Sequence, residues 1–382
     1  MSAPLLLHAD DQLSSLPLGV AAGLGCRRPV VTRDRATGRL VHGRCYSRAF
    51  ASCPSCAGLI WGDRRAQLLE GLASAGGRVA FVTLTAPSFG QVHRAEMGGR
   101  SQASALLHSR PAYAQCGCGR RHSSSSALVG TPLNADAYRY RQQVAWNSSV
   151  GPLWTLTLSA LRRSALGRRG GDLPAVRVLE WQTRLAVHVH AILLLGDLDI
   201  DAASVRRICS SVAVTEASSA VFRWGRQIDV ALLPTQSPQW TRERRIVSSY
   251  LGKTAGYLLK DRFIADRSIE DQRVEDVQAR RIFETRLSAA AQRLPQISHR
   301  ARENLGLAAQ VFRASNSWPA PTLVERRRER AAYGRARAQA EGRLRDSDVE
   351  WPSDAGPRFR FEGTPDLHTV GDVLRFHASA HP

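Results

Sequence analysis

Residues 185–195 read LAVHVHAILLL, and the architecture of the chain turns on them. The run is β-branched and aliphatic, and no Gly or Pro interrupts it, so it is predicted to be a strand. Side chains at i and i+2 of a strand share a face, which puts His188 and His190 side by side. Apolar residues on both faces mark a central strand covered on both sides. Upstream, AVRVLEWQ (residues 175–182) ends just before the short polar turn TRLA, so the two segments form an antiparallel hairpin. GGRVAFVTLTAPSFG (76–90) and RWGRQIDVALL (223–233) read as further strands. Helical patterns interleave: residues 136–168, broken near Gly151 and Pro152; ASVRRICSSVAVTEA (203–217); and RERRIVSSYLGKTAGYLLKDRF (242–263). The fold class expected is α+β, with a largely antiparallel central sheet flanked by helices.

Two imidazoles on one strand face make two-thirds of a metal site; a pair of hydrogen-bonded core histidines is the alternative. Glu180 lies eight residues before His188, and the hairpin carries it towards the same face, with Gln182 of the same parity as the other candidate. Two His and one carboxylate leave coordination positions open. Such a set suits Mg²⁺ or Mn²⁺ bridging to a phosphate oxygen. Residue 192 is Ile, so there is no third alternating His, and the helical His-Glu-x-x-His spacing of zincins is absent.

The chain carries 53 basic residues, of which only Lys253 and Lys260 are lysine. Each follows a tyrosine by three positions, Tyr250 and Tyr257. Offsets of 3, 4 and 3 fall on one helix face. An ammonium beside a phenol favours phenolate and can neutralise a phosphate. With a metal polarising that phosphate, the set fits transesterification: tyrosine attacks DNA, keeps the bond energy in a phosphotyrosine ester and frees a 3′ hydroxyl. An amphipathic helix with buried tyrosines and snorkelling lysines is the other reading.

A net charge of +20 and a pI near 10.9 point to polyanions. No apolar run is long enough to span a membrane, and the N-terminus lacks the basic start of a signal peptide, so nucleic acid in the cytoplasm is the expected partner and place. Arg223 and Arg226 flank Trp224, where single-stranded DNA could pair and stack; core packing of Trp224 is the alternative. Residues 324–345 read as a basic helix suited to phosphates or to internal Glu–Arg pairing. Cys26, Cys45, Cys53 and Cys56 have the spacing of a closed structural Zn²⁺ site. Cys116, Cys118 and His122, in an irregular insert over 91–135, are a candidate second zinc set. There one intervening residue looks tight and the fourth ligand is not evident. Cys209 is expected to pack a helix.

Together FVTLTAPSFG, VHVHAILLL and YLGKTAGYLLK, in that order, resemble the HUH-type endonucleases, and within them the rolling-circle replication initiators of actinobacterial plasmids; EWQTR, RWGRQIDV and ISHRAR add to the likeness over residues 24–305. The resemblance implies an HUH endonuclease-like sheet, with DNA contacts from Thr83 and Thr85 in the first motif and from Arg300 and Arg302. It implies nicking one strand at a plasmid origin, priming from the 3′ end and later rejoining, alongside host polymerase and helicase and without a membrane. Relatives carry two adjacent Tyr-x-x-Lys units; here TAG separates them. Tyr257 with Lys260 is the preferred nucleophile pair and Tyr250 with Lys253 the second. The expected organisation is a zinc-binding region over 1–70, a nicking-joining domain over 71–290, a basic helical extension over 291–345 and a loose tail over 346–382. A two-tyrosine transposase, a relaxase and a non-enzymatic zinc-containing DNA-binding regulator are the competing functions.

Overall fold

The computed structural model describes residues 26, 30–34, 40–45, 47, 53–95, 116–166, 172–215, 220–257, 273–295, 297–307, 310–326, 328, 329, 332 and 359–363. The chain divides into two compact units. One comprises Met1–Gln67, Leu259–Asp261 and Pro321–Pro382; the other comprises Leu68–Leu258 and Arg262–Ala320. The C-terminal residues therefore group with the N-terminal ones, where the sequence suggested a separate extension and tail.

In the first unit β1 (Val30–Asp34) lies between β2 (Leu40–Gly43) and β10 (Phe359–Gly363), all antiparallel. The segment expected to be a loose tail thus supplies an edge strand. Helix α1 (Pro54–Ala73) follows the cysteine-rich stretch.

In the second unit β3 (Arg78–Leu84), β4 (Ala175–Trp181), β5 (Val187–Gly196), β8 (Ile228–Pro234) and β9 (Phe312–Ala314) form one sheet in the order β8-β3-β5-β4-β9, with every pairing antiparallel. One face packs Val82, Leu84, Val189 and Leu193 against helices α2 (Tyr140–Leu166), α3 (Ala202–Ser211) and α5 (Val274–Gln292). The other packs Phe81, Val178 and Ile192 against Leu68 and Leu72, against Trp240, Val247 and Leu251 of α4 (Trp240–Tyr257), and against Trp318. Cover on both faces explains why β5 is apolar without alternation. Between α3 and β8 sits the small hairpin β6 (Ala213–Thr215) and β7 (Val221–Arg223); helix α6 (His299–Glu303) follows α5.

Three local expectations change. Helix α2 runs through Pro152 without a break. Proline removes one i→i−4 bond, from Ser148's carbonyl, but Trp146, Val150, Leu153, Trp154 and Leu161 bury on both sides of it and hold the axis. Helix α3 ends at Ser211 with Val212 as its C-cap, and Ala213–Thr215 pairs with β7 instead. Helix α4 tolerates Gly252 because Trp240, Val247 and Leu251 recur on one buried face, which outweighs a propensity cost of about 1 kcal/mol.

Candidate functional site

Sheet register assembles the centre. Glu180 lies directly opposite His188 in β4–β5, and Thr83 lies opposite His190 in β3–β5. Glu180 Oε2 is 2.7 Å from His188 Nε2 and 2.8 Å from His190 Nε2, so three ligand atoms converge. Burial alone would raise the Glu180 pKa, but the hydrogen bonds from both histidines outweigh it and hold the carboxyl well below the usual carboxylate range. His190 is fully buried, and its Nδ1 is 3.1 Å from Thr83 Oγ1. Were a cation to replace the proton on Nε2, Thr83 could accept the Nδ1 proton and leave the Nε2 lone pair to the ion, the way an outer partner sets the tautomer of a ligating histidine. Gln182, the alternative third ligand, is used elsewhere: its Oε1 accepts from Arg184 Nε.

The turn between β4 and β5 is held open for this register by α2. Asn147 bonds to the Leu185 carbonyl and the Val187 amide, and Gln143 to the Arg184 carbonyl. Leu185 takes φ 56°, rare for a branched side chain. Asn147 and Gln143 are both fully buried. As polar residues in an apolar helix face they carried a signal in the sequence that motif reading passes over.

Helix α4 brings Tyr250 across the same face. Its hydroxyl is 3.3 Å from His190 Nε2, and its ring stands edge-on to His190 at 5.2 Å and to Phe81 at 6.2 Å. Of the two tyrosines, Tyr250 is the one whose phenol is described at the centre. Tyr257 and Lys253 lie in the backbone of α4 with side chains outside the described residues, and Lys260 lies outside them altogether.

A family model described as RepSA, replication initiator protein of pSAM2, matches residues 20–379. The chain belongs to this family of replication initiators. It is 29% identical to a replication initiator protein from Streptomyces ambofaciens over 306 residues, which make up 66% of this chain and 63% of that relative. The chain thus covers less than two thirds of the length of that relative. No solved structure matches it.

Within this initiator, a cavity of about 1120 Å³ opens at the end of the sheet where β3 and β4 finish and β8 begins. It is lined by Thr85, Arg94, Arg184, Trp224, Arg226 and Gln227, among others. Arg226 is exposed in its wall. Arg184 is committed to the protein: its guanidinium donates to the Ala86 and Pro87 carbonyls. Several residues expected to contact DNA are buried in the protein. Thr83 is buried against His190, Thr85 donates to the Gln227 carbonyl at 2.7 Å, and Trp224 is buried with its Nε1 donating to Thr157. Arg223 is exposed and donates to the Ser211 carbonyl. Arg302 donates to the Pro295 carbonyl, and the Arg300 side chain lies outside the described residues.

Two further clusters of ligand-type side chains are present among the described residues. Cys26, Cys45, Cys53 and Cys56 converge, with Cys26 Sγ 3.9 Å from Cys53 Sγ and 3.6 Å from Cys56 Sγ. Hydrogen bonding to Cys53 and Cys56, together with burial, pushes the Cys26 thiol far up. Cys116, Cys118 and His122 also converge, joined by a residue the sequence reading missed: His93, 23 positions before Cys116. Only its place after β3, on the wall opposite the insert's return, identifies it. Cys209 is buried in the main core, and burial pushes its thiol up to about 12. No helix among the described residues is long and apolar enough to cross a membrane.

Proposed function

We propose that this initiator nicks one DNA strand at its origin by tyrosine transesterification, with Tyr250 as nucleophile and Glu180, His188 and His190 holding Mg²⁺ or Mn²⁺. One observation carries the reading: the Tyr250 hydroxyl lies at the same point to which three ligand atoms converge. When bound, the metal polarises the scissile phosphate and offsets its charge. Tyr250 oxygen attacks phosphorus, a tyrosyl–phosphorus bond forms and the bond to the 3′ oxygen breaks. The phenolic proton leaves to solvent, and the released 3′ oxygen becomes a hydroxyl that can prime synthesis. One phosphodiester replaces another, so no nucleotide is consumed. Lys253, one turn further along α4, would favour the phenolate. Tyr257, two turns along, would serve a second transfer, with Lys260 as its partner.

Thr83 acts as a positioning residue for His190, and exposed arginines such as Arg226 supply affinity without chemistry. Cys26, Cys45, Cys53 and Cys56 would hold one structural Zn²⁺. Membership of the replication-initiator family supports a replication origin as the DNA partner.

The test is a labelled single-stranded origin oligonucleotide incubated with Mn²⁺ or Mg²⁺, with covalent adducts mapped by peptide mass. An adduct on the peptide containing Tyr250, lost in Tyr250→Phe and kept in Tyr257→Phe, is expected. Normal cleavage by the double phenylalanine variant would sink the mechanism; an adduct confined to Tyr257 would reverse the roles of the two tyrosines.

A further inference from the structure

The insert between β3 and α2 carries a cluster with no part in the chemistry above. Its four ligand atoms, from His93, Cys116, Cys118 and His122, lie within 4.8 Å of one another. Cys116 Sγ is 3.5 Å from Cys118 Sγ and 3.7 Å from His93 Nδ1, and Cys118 Sγ is 3.1 Å from His122 Nε2. Zn–S bonds of about 2.3 Å and Zn–N bonds of about 2.0 Å give tetrahedral edges of about 3.8 Å between sulfurs and about 3.5 Å between sulfur and nitrogen. The cluster is within a few tenths of an ångström of that figure. The single residue between the cysteines is no obstacle: the chain turns at Cys116–Gly119, with Gly119 at φ 78° and its amide bonded to the Cys116 carbonyl. Backbone amides point at both sulfurs, Arg94 N–H at Cys116 and Arg120 N–H at Cys118, as they do around thiolates. Cys116 and His122 are buried.

We propose that these four residues bind a second, structural Zn²⁺ that clasps the two ends of the insert and so fixes one wall of the cavity beside the sheet centre. Two thiolates balance the ion's charge, two protons are released on binding, and two thiolates with two imidazoles match the tetrahedral preference of zinc with no open position. His93 belongs to the cavity wall itself. Its amide donates to the Thr131 carbonyl and its carbonyl accepts from Gly130, so the wall is laced to the return of the insert by backbone and closed by metal on its other side. The ion would therefore hold Arg94, the next residue, in place on the rim. That consequence for nucleic acid rests on the nicking proposal; the ion itself does not.

Metal content of the purified full chain, after dialysis that strips weakly held Mg²⁺ and Mn²⁺, decides the matter. Two zinc equivalents are expected, falling by one in His93→Ala and returning in His93→Cys, which restores a ligand but not an imidazole hydrogen bond. Unchanged zinc in His93→Ala overturns the site. Should His93→Ala fail to fold, the unaltered protein answers: iodoacetamide should label Cys118 only after 1,10-phenanthroline treatment, and equal labelling before chelation overturns the site. For the wall, binding of an oligo(dT) probe should weaken several-fold in His93→Ala and recover in His93→Cys. Unchanged binding in a zinc-deficient His93→Ala protein would remove the wall role, whatever the outcome for Tyr250.

Discussion

The sheet centre and the cysteine clusters solve the same problem in opposite ways. Glu180, His188 and His190 sit on paired strands, where register alone sets their spacing, and Phe81, Val178 and Ile192 of the same face are packed into the core. Strand pairing is what brings them together. Cys26, Cys45 and Cys53 lie in coil and Cys56 in the first turn of α1, while Cys116, Cys118 and His122 lie in turns and coil. In each cluster four thiols or imidazoles converge, their ligand atoms within 4.8 Å of one another. A rigid scaffold can leave coordination positions open for a substrate, whereas a segment shaped by its ion uses every position to hold the chain.

The largest effect that would test this contrast is chemical. His190→Ala should lower nicking by about a thousandfold or more, because its ligand has no substitute, while the melting temperature and DNA affinity stay close to the parent. A variant that unfolds would show that the sheet centre, too, depends on its ligands. Cys53→Ser should do the reverse. Zinc content falls by one equivalent and amide protection over residues 53–67 is lost, because folding and metal binding are coupled there. Retained protection without zinc would break the comparison from the other side.

Smaller effects sharpen it. Gly130 has φ 89°, and a Cβ there would meet the Thr183 carbonyl carbon at 2.4 Å and the Arg184 amide at 2.6 Å. Gly130→Ala should therefore destabilise by about 2–4 kcal/mol, read from chemical denaturation, and loosen the hairpin turn that sets the histidine register. Thr83→Val keeps the shape and removes the hydroxyl from His190 Nδ1. Metal affinity at the centre, measured as the Mn²⁺ concentration giving half-maximal nicking, should weaken by about tenfold, with folding unchanged. Smallest is a gain. Arg177 is buried, with Nε and Nη1 unpartnered among the described residues, and burial, helped by the Arg313 charge, lowers its pKa to about 10. Arg177→Met should raise stability by about 1 kcal/mol by removing that desolvated charge. A loss instead would show that the cation is satisfied by something at the α2 face of the sheet.

Much of the centre was legible because strands translate sequence into space by a fixed rule. Period two puts His188 and His190 together, and one short turn returns Glu180 beside them, so chain-local facts sufficed. The placement of Tyr250 was half legible. Helical spacing put both tyrosines on one face, and the motif's inserted TAG favoured Tyr257, but which phenol meets the histidines depends on where α4 lies across the sheet. Trp240, Val247 and Leu251 set that position, and it brings Tyr250 to 3.3 Å from His190 Nε2. Thr83 and Trp224 had the residue types of DNA contacts. In the structure both are buried, with the hydroxyl opposite a histidine and the indole against α2 bonded from within.

The sequence by itself determined the paired strands, the histidine pair with its carboxylate, the Cys₄ spacing and the cationic character, because each is written in neighbouring residues or in composition. Only tertiary structure decided that residues 359–363 pair with β1, that helix α2 survives Pro152, and that His93 joins Cys116, Cys118 and His122. Those contacts join residues far apart along the chain. Their free energy comes from packing and ligand convergence between separate segments, which no local pattern records.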